Sequence, residues 1–547
     1  MNLKSEQPMK IQELLLLVCA LIMITINSVN IASQKSGYFL DETCTFMFSN
    51  SDAWTIDDVK TFWGLNGSAI GTIDMSKIWP TDRWISHDQV IGDYIATGTG
   101  MGSYLNVFLY QAGDVHPPLY YLIIHTITYL FPAMPLKWVG FSVNFVFLIA
   151  TCILIFRICK LLTGQTIISV SAILYYGLSY DFANNMTYYR MYAMLTFWFS
   201  LLIYMSLKWN LSDYAMDKKT VFKICAIEFL AMLTQYFAVF IILPVFVLNL
   251  VFMHRRKLKL LRFIISNIVT AVAYIVLWPF SIIHILFSNR GQDVTGNMSL
   301  RNLVFRLKAF RHWFQDSLFA GSLPYMAIFF LIAFIFILIA IAVKIRKKEL
   351  LVFLRSQEAE AYSYLVIPSF FYYVVVANIA PFISDRYHMP VMPMLAALII
   401  LVLADILQMP VKNKTICGGI LIAFSLLLMI YWRNSIEPRY LYNDELRRDH
   451  IESHMLYNAV LIDPDGYNNK SEIELNFPHP KFFCTKETGS VPKVIEAKNT
   501  SGDTGPLIIY INRDCNIEEI GNSFKEAGVF LEKLKYHTDY YYVYVMN

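Results

Sequence analysis

The sequence predicts an all-α polytopic membrane protein of about 11–12 transmembrane helices, with a small C-terminal extracytoplasmic α/β domain. Hydrophobic residues make up 56% of the 547 positions and charged residues only 16%, whereas ordinary soluble domains carry roughly 25% charged residues. Long apolar runs recur up to residue 432, where the composition becomes polar. The formal net charge of +4 is small for this length and argues against nucleic acid as a partner.

The apolar runs define the expected spans. The first, about Ile11 to Ala32, follows Lys4 and Lys10, and its length favours an uncleaved signal anchor over a cleaved signal peptide. Ten further runs are long enough, or nearly long enough, to cross about 30 Å of hydrocarbon. They lie at 138–158, 165–181, 190–208, 221–238, 239–253, 261–284, 324–343, 361–381, 390–408 and 416–432.

Basic residues give the expected orientation. They cluster in alternate short loops, and cytoplasmic loops are the ones that carry an excess of Lys and Arg. We therefore expect the N-terminus inside, and the first loop (about 33–137) and the tail outside. Eleven spans fit this orientation and leave the piece from His116 to Phe131 as a re-entrant or interfacial helix. A twelve-span arrangement, in which this piece also crosses, stays open.

Two domains are expected. Residues 1–434 form the transmembrane domain, in which the tryptophan-rich first loop should hold short helices at the headgroup zone. Residues 435–547 form a small soluble α/β domain. Its expected elements are strands at 459–463, 506–512 and 540–545 and a helix near 517–527. Cys484 and Cys515 form a disulfide in this domain or stay reduced; an extracytoplasmic location would permit the bond.

An acidic pair, Asp41-Glu42, follows the first span at its outer end. A carboxylate there can take a proton from an incoming hydroxyl if it lies within hydrogen-bond reach. The alternative is a solvated acidic loop, which is common just outside a span.

The most specific motif is Asp114-x-His116-Pro117, followed by Tyr120 and Tyr121. Pro117 suits the first turn of a helix, where its missing N–H costs nothing. His116 is then expected at the cap. A helix start of this kind presents a carboxylate, an imidazole and backbone donors to one place, an arrangement that suits anion binding, and the tyrosines offer aromatic surface to a sugar or headgroup. The alternative is a capped interfacial helix with an aromatic belt.

Two further turns on the same predicted face carry an arginine beside a tyrosine. Arg190 and Tyr192 lie in one outer turn, and Arg386 and Tyr387 in another. An arginine beside hydrocarbon usually has a partner or a function, and its fork geometry suits phosphate oxygens. Snorkelling at a helix end is the alternative for each turn taken singly.

Taken in order, these motifs resemble a known family. The acidic pair, D-x-H-P-P-L-Y-Y, the R-M-Y turn at 190–192 and the R-Y-x-x-P turn at 386–390 are similar to those of GT-C superfamily membrane glycosyltransferases. The bacterial relatives of the protein O-mannosyltransferases and of the aminoarabinose transferase are the members in question. The resemblance covers about residues 11–410 and does not include the tail.

The resemblance implies inverting transfer of a monosaccharide from a polyprenyl-phosphate donor to a glycan, lipid or protein acceptor at the extracytoplasmic face of a bacterial plasma membrane. It implies Asp41 as the general base, with Glu42 and Asp114 orienting acceptor or sugar. The candidates for binding the lipid phosphate are His116, Arg190 and Arg386, and the substrate-contacting tyrosines are Tyr120, Tyr121, Tyr192 and Tyr387. No cofactor is certain, and a divalent metal is disfavoured because the turn at 188–192 carries arginine rather than an acidic cluster.

Two other classes of protein stay open. A transporter or flippase for a lipid-linked saccharide would carry paired charges near the bilayer midplane and weak internal two-fold similarity, and the sequence displays neither. A non-catalytic partner that binds the lipid carrier through the same residues is compatible with the motifs.

Overall fold

The fold is mostly helical, with one mixed β-sheet, as the predicted class requires. In this computed structural model the structure describes residues 9–51, 55–62, 64–65, 67, 80–96, 102–215, 218–296, 299–466, 469–501 and 505–547. The helices are α1 (Ile11–Ser33), α2 (Leu40–Asn50), α3 (Ile56–Phe62), α4 (His87–Gly92), α5 (Gly102–Gly113), α6 (Leu119–Leu130), α7 (Leu136–Thr163), α8 (Thr166–Gly177), α9 (Tyr180–Thr187), α10 (Tyr192–Leu211), α11 (Lys218–Met232), α12 (Val239–Arg255), α13 (Leu261–Leu277), α14 (Phe280–Leu286), α15 (Asn289–Gly296), α16 (Leu300–Phe319), α17 (Leu323–Arg346), α18 (Leu350–Leu354), α19 (Gln357–Ile379), α20 (Met392–Gln408), α21 (Lys414–Ser435), α22 (Glu445–His454), α23 (Ser471–Asn476), α24 (Ser490–Thr500) and α25 (Ile517–Glu526). Short 3₁₀ segments lie at Tyr236–Ala238, Asp385–Tyr387 and Met389–Val391. The strands are β1 (Trp84–Ser86), β2 (Ala459–Asp463), β3 (Lys481–Lys486), β4 (Leu507–Asn512), β5 (Leu531–His537) and β6 (Tyr541–Met546).

Among the described residues, seven helices are long and apolar enough to cross a membrane, or eight if α13 and α14, bent by 89°, form one span. The seven include α1, α7, α17, α19 and α21, together with α12 and α20 extended by their preceding 3₁₀ segments. This number is below the eleven expected. The runs at 165–181 and 221–238 form α8 and α11, with 12 and 15 residues, which at 1.5 Å per residue are shorter than about 30 Å of hydrocarbon.

The segment after the first loop forms α6, a helix of 12 residues. Such a helix rises only about 18 Å, which fits a re-entrant or interfacial helix better than a full span. The expected helix start was wrong by two residues, since α6 begins at Leu119 rather than at Pro117. Pro118 disfavours helical backbone at the residue before it, so His116 lies before the helix and not at its cap.

Two compact units make up the chain. Unit 1 contains residues 1–33, 115–120 and 140–439. Unit 2 contains residues 34–114, 121–139 and 440–547. Unit 2 therefore joins most of the first loop to the tail, whereas the sequence assigned that loop to the transmembrane domain.

The sheet of unit 2 has the strand order β1-β3-β2-β4-β6-β5. The three central strands β3, β2 and β4 run parallel, and the outer strands pair antiparallel to their neighbours. The predicted strands are confirmed as β2, β4 and β6, and the predicted helix as α25. β1 comes from the first loop, and its Trp84 packs on Phe483 at 5.4 Å and donates from Nε1 to Ala497 O at 3.1 Å.

Cys484 and Cys515 are both free thiols, so the disulfide alternative is wrong. Cys484 is fully buried in β3, and Cys515 follows β4 with its Sγ directed at the carbonyl oxygen of Ile462 at 3.7 Å. Each thiol occupies its own place in the packed interior, where a cysteine behaves as a small hydrophobe.

Glu472, in α23, makes the stability of unit 2 depend on pH. The residue is 4% exposed, and its Oε2 accepts a hydrogen bond from Thr538 Oγ1 at 2.7 Å. Burial raises the pKa of the carboxyl from 4.5 to about 7, against the opposing effect of the Thr538 hydrogen bond. Between these two pKa values the folded state binds a proton that the unfolded chain releases. The contribution of Glu472 to the stability of unit 2 is therefore fully present below the pKa of the unfolded chain, and it declines as the pH rises towards the pKa of the folded state.

We predict that Glu472→Gln leaves the stability of unit 2 nearly unchanged at about pH 4.5 and raises it by up to roughly 3 kcal/mol at about pH 8. The amide avoids ionisation, and its oxygen still accepts from Thr538. Hydrogen exchange of the β2 and β4 amides, compared between variant and unchanged protein at the same pH, measures the difference. The matched control is Glu518→Gln, at an exposed position. A stability difference between Glu472→Gln and the unchanged protein that does not increase with pH would contradict the raised pKa.

Candidate functional site

Arg190 lies in the turn between α9 and α10 of unit 1 and is only 5% exposed. Its Nη2 lies 3.2 Å from His116 Nε2. A guanidinium can only donate, so in this contact the imidazole nitrogen of His116 is the acceptor. The structure therefore brings two of the sequence-predicted phosphate ligands into direct contact.

Arg386 lies in the 3₁₀ segment Asp385–Tyr387 of the same unit and is 7% exposed. Its Nη1 donates to the hydroxyl of Tyr188 at 2.7 Å. Its guanidinium carbon lies 5.3 Å from the ring centroid of Tyr387 and 5.8 Å from that of Phe382. Aromatic rings tolerate a weakly hydrated guanidinium better than they would an ammonium, which explains how this charge is held away from water.

The two arginine turns meet through tyrosines. Tyr188 stacks on Tyr192 at 5.8 Å, and Tyr192 packs edge-on against Tyr387 at 6.1 Å. We call the group formed by His116, Tyr188, Arg190, Tyr192, Arg386 and Tyr387 the arginine–tyrosine cluster. Residues almost 200 positions apart in the sequence thus form one buried cationic and aromatic surface.

Asn144, in α7, positions the first of these turns. Its Nδ2 donates to the carbonyl oxygen of Tyr188 at 2.7 Å, and its Oδ1 accepts from the hydroxyl of Tyr120 at 2.8 Å. Gly140, one turn earlier on α7, allows the close approach, because a Cβ there would lie 2.3 Å from the ring of Tyr189. The backbone N–H of Leu119 donates to Leu233 O at 3.1 Å, which fixes the start of α6 in the same unit.

The acidic pair lies in the first turn of α2, in unit 2. Glu42 is fully buried, and its Oε2 lies 3.1 Å from Lys35 Nζ and accepts from the backbone N–H of Phe39 at 2.7 Å. Lys35 is also buried, and its Nζ donates to Tyr440 O at 2.5 Å. Through these contacts Glu42 and Lys35 connect the start of α2 to the segment that begins the tail at Tyr440.

Asp41 is half-buried beside it, and its backbone oxygen accepts from Thr45 Oγ1 at 3.0 Å. Asp114 is half-buried at the end of α5, where its backbone N–H donates to Tyr110 O at 2.9 Å. Tyr121 belongs to the same unit and is fully buried. Helices α2 and α5 pack together through Phe48 and Tyr110, whose rings stack at 5.8 Å.

Several residues that complete these arrangements were not among the predicted ones. They are Lys35, Asn144 and Tyr188, together with Asp385, whose Oδ1 accepts from the N–H of Arg386 at 2.9 Å and lies 3.6 Å from Arg439 Nη1. Asn144 could have been found, since an amide inside an apolar run usually has a partner. Lys35 could not, because nothing nearby in the sequence distinguishes it from an ordinary loop lysine.

Chemically, the arginine–tyrosine cluster suits an oxyanion. Two guanidinium groups beside an imidazole offer charge-assisted donors to phosphate oxygens. Within the part of the chain that the structure describes, no group of three or more His, Cys, Asp or Glu side chains has a metal-binding arrangement.

The chain has a weak likeness to a solved structure. The crystal structure of ArnT from Cupriavidus metallidurans in the apo state is similar to this chain with a TM-score of 0.45 and 11% sequence identity, over 79% of this chain and 87% of that one. No protein-family model matches the chain, and no curated protein matches it. A likeness at this level identifies neither family nor substrate, so the functional conclusion rests on the residues.

We predict that Lys35→Met destabilises unit 2 by roughly 3–5 kcal/mol, because it leaves the Glu42 carboxylate buried without its ammonium partner. The double variant Lys35→Met/Glu42→Gln should lose clearly less, since it removes both charges. Hydrogen exchange of α2 and of the segment after Tyr440 measures both effects. Equal losses of stability in the single and double variants would show that the unpaired charge of Glu42 is not the cause of the destabilisation.

Proposed function

We propose that the chain is a membrane glycosyltransferase that moves a monosaccharide from a polyprenyl-phosphate donor to an acceptor hydroxyl at the extracytoplasmic face. The observation that carries this proposal is the meeting of two buried arginine turns in one arginine–tyrosine cluster. The sequence motifs that resemble GT-C glycosyltransferases supply the reaction class. The acceptor is a glycan, a lipid or a protein.

In this reaction the cluster would bind the donor phosphate. As the bond between the anomeric carbon and the phosphate oxygen breaks, negative charge develops on the departing polyprenyl phosphate. Cationic donors fixed beforehand stabilise such charge without reorganisation. Arg190 and Arg386 would bind the phosphate oxygens, and His116, through its contact with Arg190, would orient one of the two forks.

The acceptor oxygen would form the new bond on the opposite face of the sugar, which inverts the anomeric configuration. Its proton would pass to Asp41, the proposed general base. Asp114 would orient the acceptor or sugar. Glu42 would act by positioning, because its bond to Phe39 and its ion pair with Lys35 fix the helical turn that carries Asp41.

The tyrosines would provide the apolar surface of the site. Tyr192 and Tyr387 belong to the cluster itself, and Tyr120 is joined to it through Asn144. Amphipathic rings of this kind accommodate both a sugar face and the first isoprene units of a lipid. Tyr121 is proposed for the same purpose on the evidence of the sequence motif alone.

We expect Asp41→Asn to reduce transfer by about 10²–10⁴-fold, the usual contribution of a general base. The variant should still insert into the membrane and bind the donor, since the amide preserves shape. Transfer of radiolabelled sugar in proteoliposomes measures the rate. Asp88→Asn, an exposed acid in the first turn of α4, is the matched control, and full activity of Asp41→Asn would remove this residue from the mechanism.

We expect Arg386→Ala to lower kcat/KM for the donor by about 10–100-fold, which corresponds to loss of a charge-assisted hydrogen bond worth roughly 1.5–3 kcal/mol. The kcat/KM of Arg386→Lys should lie between those of Arg386→Ala and the unchanged protein, because an ammonium keeps the positive charge but lacks the paired N–H donors of a guanidinium. The KM for the acceptor should not change. Arg355→Ala, at the exposed end of α18, is the control, and unchanged donor kinetics in Arg386→Ala would exclude Arg386 from the phosphate site.

One assay separates this function from the other two classes. Purified protein in sealed vesicles is given a polyprenyl-phosphate sugar labelled in the sugar, and free lipid phosphate, transferred sugar and movement of intact donor across the bilayer are measured separately. A transferase releases lipid phosphate, a flippase moves intact donor, and a binding partner does neither.

A further inference from the structure

Unit 2 contains a cavity of about 270 Å³ that none of the sequence motifs indicated. Its walls come from the segment before α2, the start of α22, α23 and the β5–β6 hairpin. The residues that line it include Tyr38, Tyr442, Arg447, Glu472, Lys535 and Tyr536. A volume near 300 Å³ is at the lower end of the range for small-molecule sites and suits a ligand of about one sugar unit.

Arg447 is the charged group in the interior of this cavity, with 3% exposure. Its Nη2 donates to Ser36 O at 3.3 Å and to Asn476 O at 3.1 Å, and its guanidinium carbon lies 4.6 Å from the ring centroid of Phe477. Its Nε–H is buried and has no hydrogen-bond partner among the residues that the structure describes. In the described parts of the chain, no carboxylate lies within ion-pair distance of this guanidinium.

The guanidinium of Arg447 packs closely against the backbone at Gly37. A Cβ at Gly37 would lie 2.6 Å from the guanidinium carbon and Nη2 of Arg447, and 2.9 Å from Cβ of Tyr442. Only glycine permits this approach without a shift of the guanidinium. A buried cation held so closely, with a donor left over, is costly unless an anion or an acceptor completes it.

Two acidic residues of the cavity, Asp444 and Glu472, accept hydrogen bonds from within unit 2. Asp444 caps α22 by accepting from the backbone N–H of Arg447 at 2.9 Å. Glu472 accepts a hydrogen bond from Thr538, and burial raises the pKa of its carboxyl to about 7. Lys535 and Asp539 lie at the exposed rim, so Arg447 is the cation of the interior.

We propose that this cavity binds an acidic sugar, that is, a monosaccharide unit carrying a carboxylate or a phosphate. Arg447 faces the anionic group, and the rings of Tyr38, Tyr442 and Tyr536 lie along the sugar. Tyrosine gives such a ligand an apolar face and a hydroxyl at low entropic cost. The site belongs to unit 2 alone and does not depend on the proposed transfer reaction.

The test uses the full chain in nanodiscs of uncharged lipid, with binding measured by calorimetry. The probes are glucuronic acid, glucose 6-phosphate, glucose and inorganic phosphate. We expect both acidic sugars to bind at least about tenfold more tightly than glucose or inorganic phosphate, which corresponds to roughly one charge-assisted hydrogen bond. Preference for glucuronic acid identifies a carboxylated sugar as the ligand, and preference for glucose 6-phosphate a phosphorylated one. Equal binding of glucose, or no binding of either acidic sugar, would overturn the proposal.

Two variants localise the binding. Arg447→Gln should abolish it, and Lys535→Glu, at the exposed rim, should weaken it by at least about threefold through charge repulsion without disturbing the fold. Lys525→Glu, an exposed lysine at the end of α25, is the matched control. Unchanged affinity in Lys535→Glu and in folded Arg447→Gln would place the ligand elsewhere. Donor kinetics measured in parallel separate this outcome from failure of the proposed transferase.

Discussion

The buried amide of Asn144 holds together the segments that carry the arginine–tyrosine cluster. The side chain of Asn144 accepts a hydrogen bond from Tyr120 on α6 and donates one to the carbonyl oxygen of Tyr188. An amide without hydrogen-bond partners in this apolar interior would be costly. Both bonds form only when α6, α7 and the 188–192 turn meet in one register. The location of Arg190 is therefore set by a neutral residue on a neighbouring helix, and Gly140 on that helix provides the space for it.

Much of the fold could be predicted because it depends on local patterns. Strands β2, β4 and β6 are runs of branched or aromatic residues, and their bounds lie within a residue of the expected ones. β1 could not be predicted, because three residues carry no periodicity and its partner β3 lies almost 400 positions away. Among the described residues, fewer helices than the eleven expected spans are long and apolar enough to cross a membrane, and the runs that form α8 and α11 give helices of only 12 and 15 residues.

The candidate site was predictable in its cations and less so in its acids. Arg190 and Arg386 are noticeable in the sequence because a charge beside an apolar run needs a reason, and both lie in the cluster. Asp41 and Glu42 are indistinguishable in the sequence, yet Glu42 is fully buried against Lys35 whereas Asp41 is half-buried. Neighbouring acids on a helix point in different directions, and only the fold determines which of them meets the lysine.

Arg386 and Arg447 illustrate why the two units use arginine in their interiors. Each guanidinium lies over an aromatic ring, Tyr387 for Arg386 and Phe477 for Arg447. Arg386 also donates to the hydroxyl of Tyr188, and Arg447 to the carbonyl oxygen of Asn476. A guanidinium loses less hydration than an ammonium on burial and keeps its charge at any physiological pH. Lys35, by contrast, is held against the carboxylate of Glu42, an arrangement that neutralises both charges. A buried lysine that is paired in this way stabilises a fold, whereas the guanidinium of Arg447, which has no carboxylate within ion-pair distance among the described residues, retains an attraction for anions.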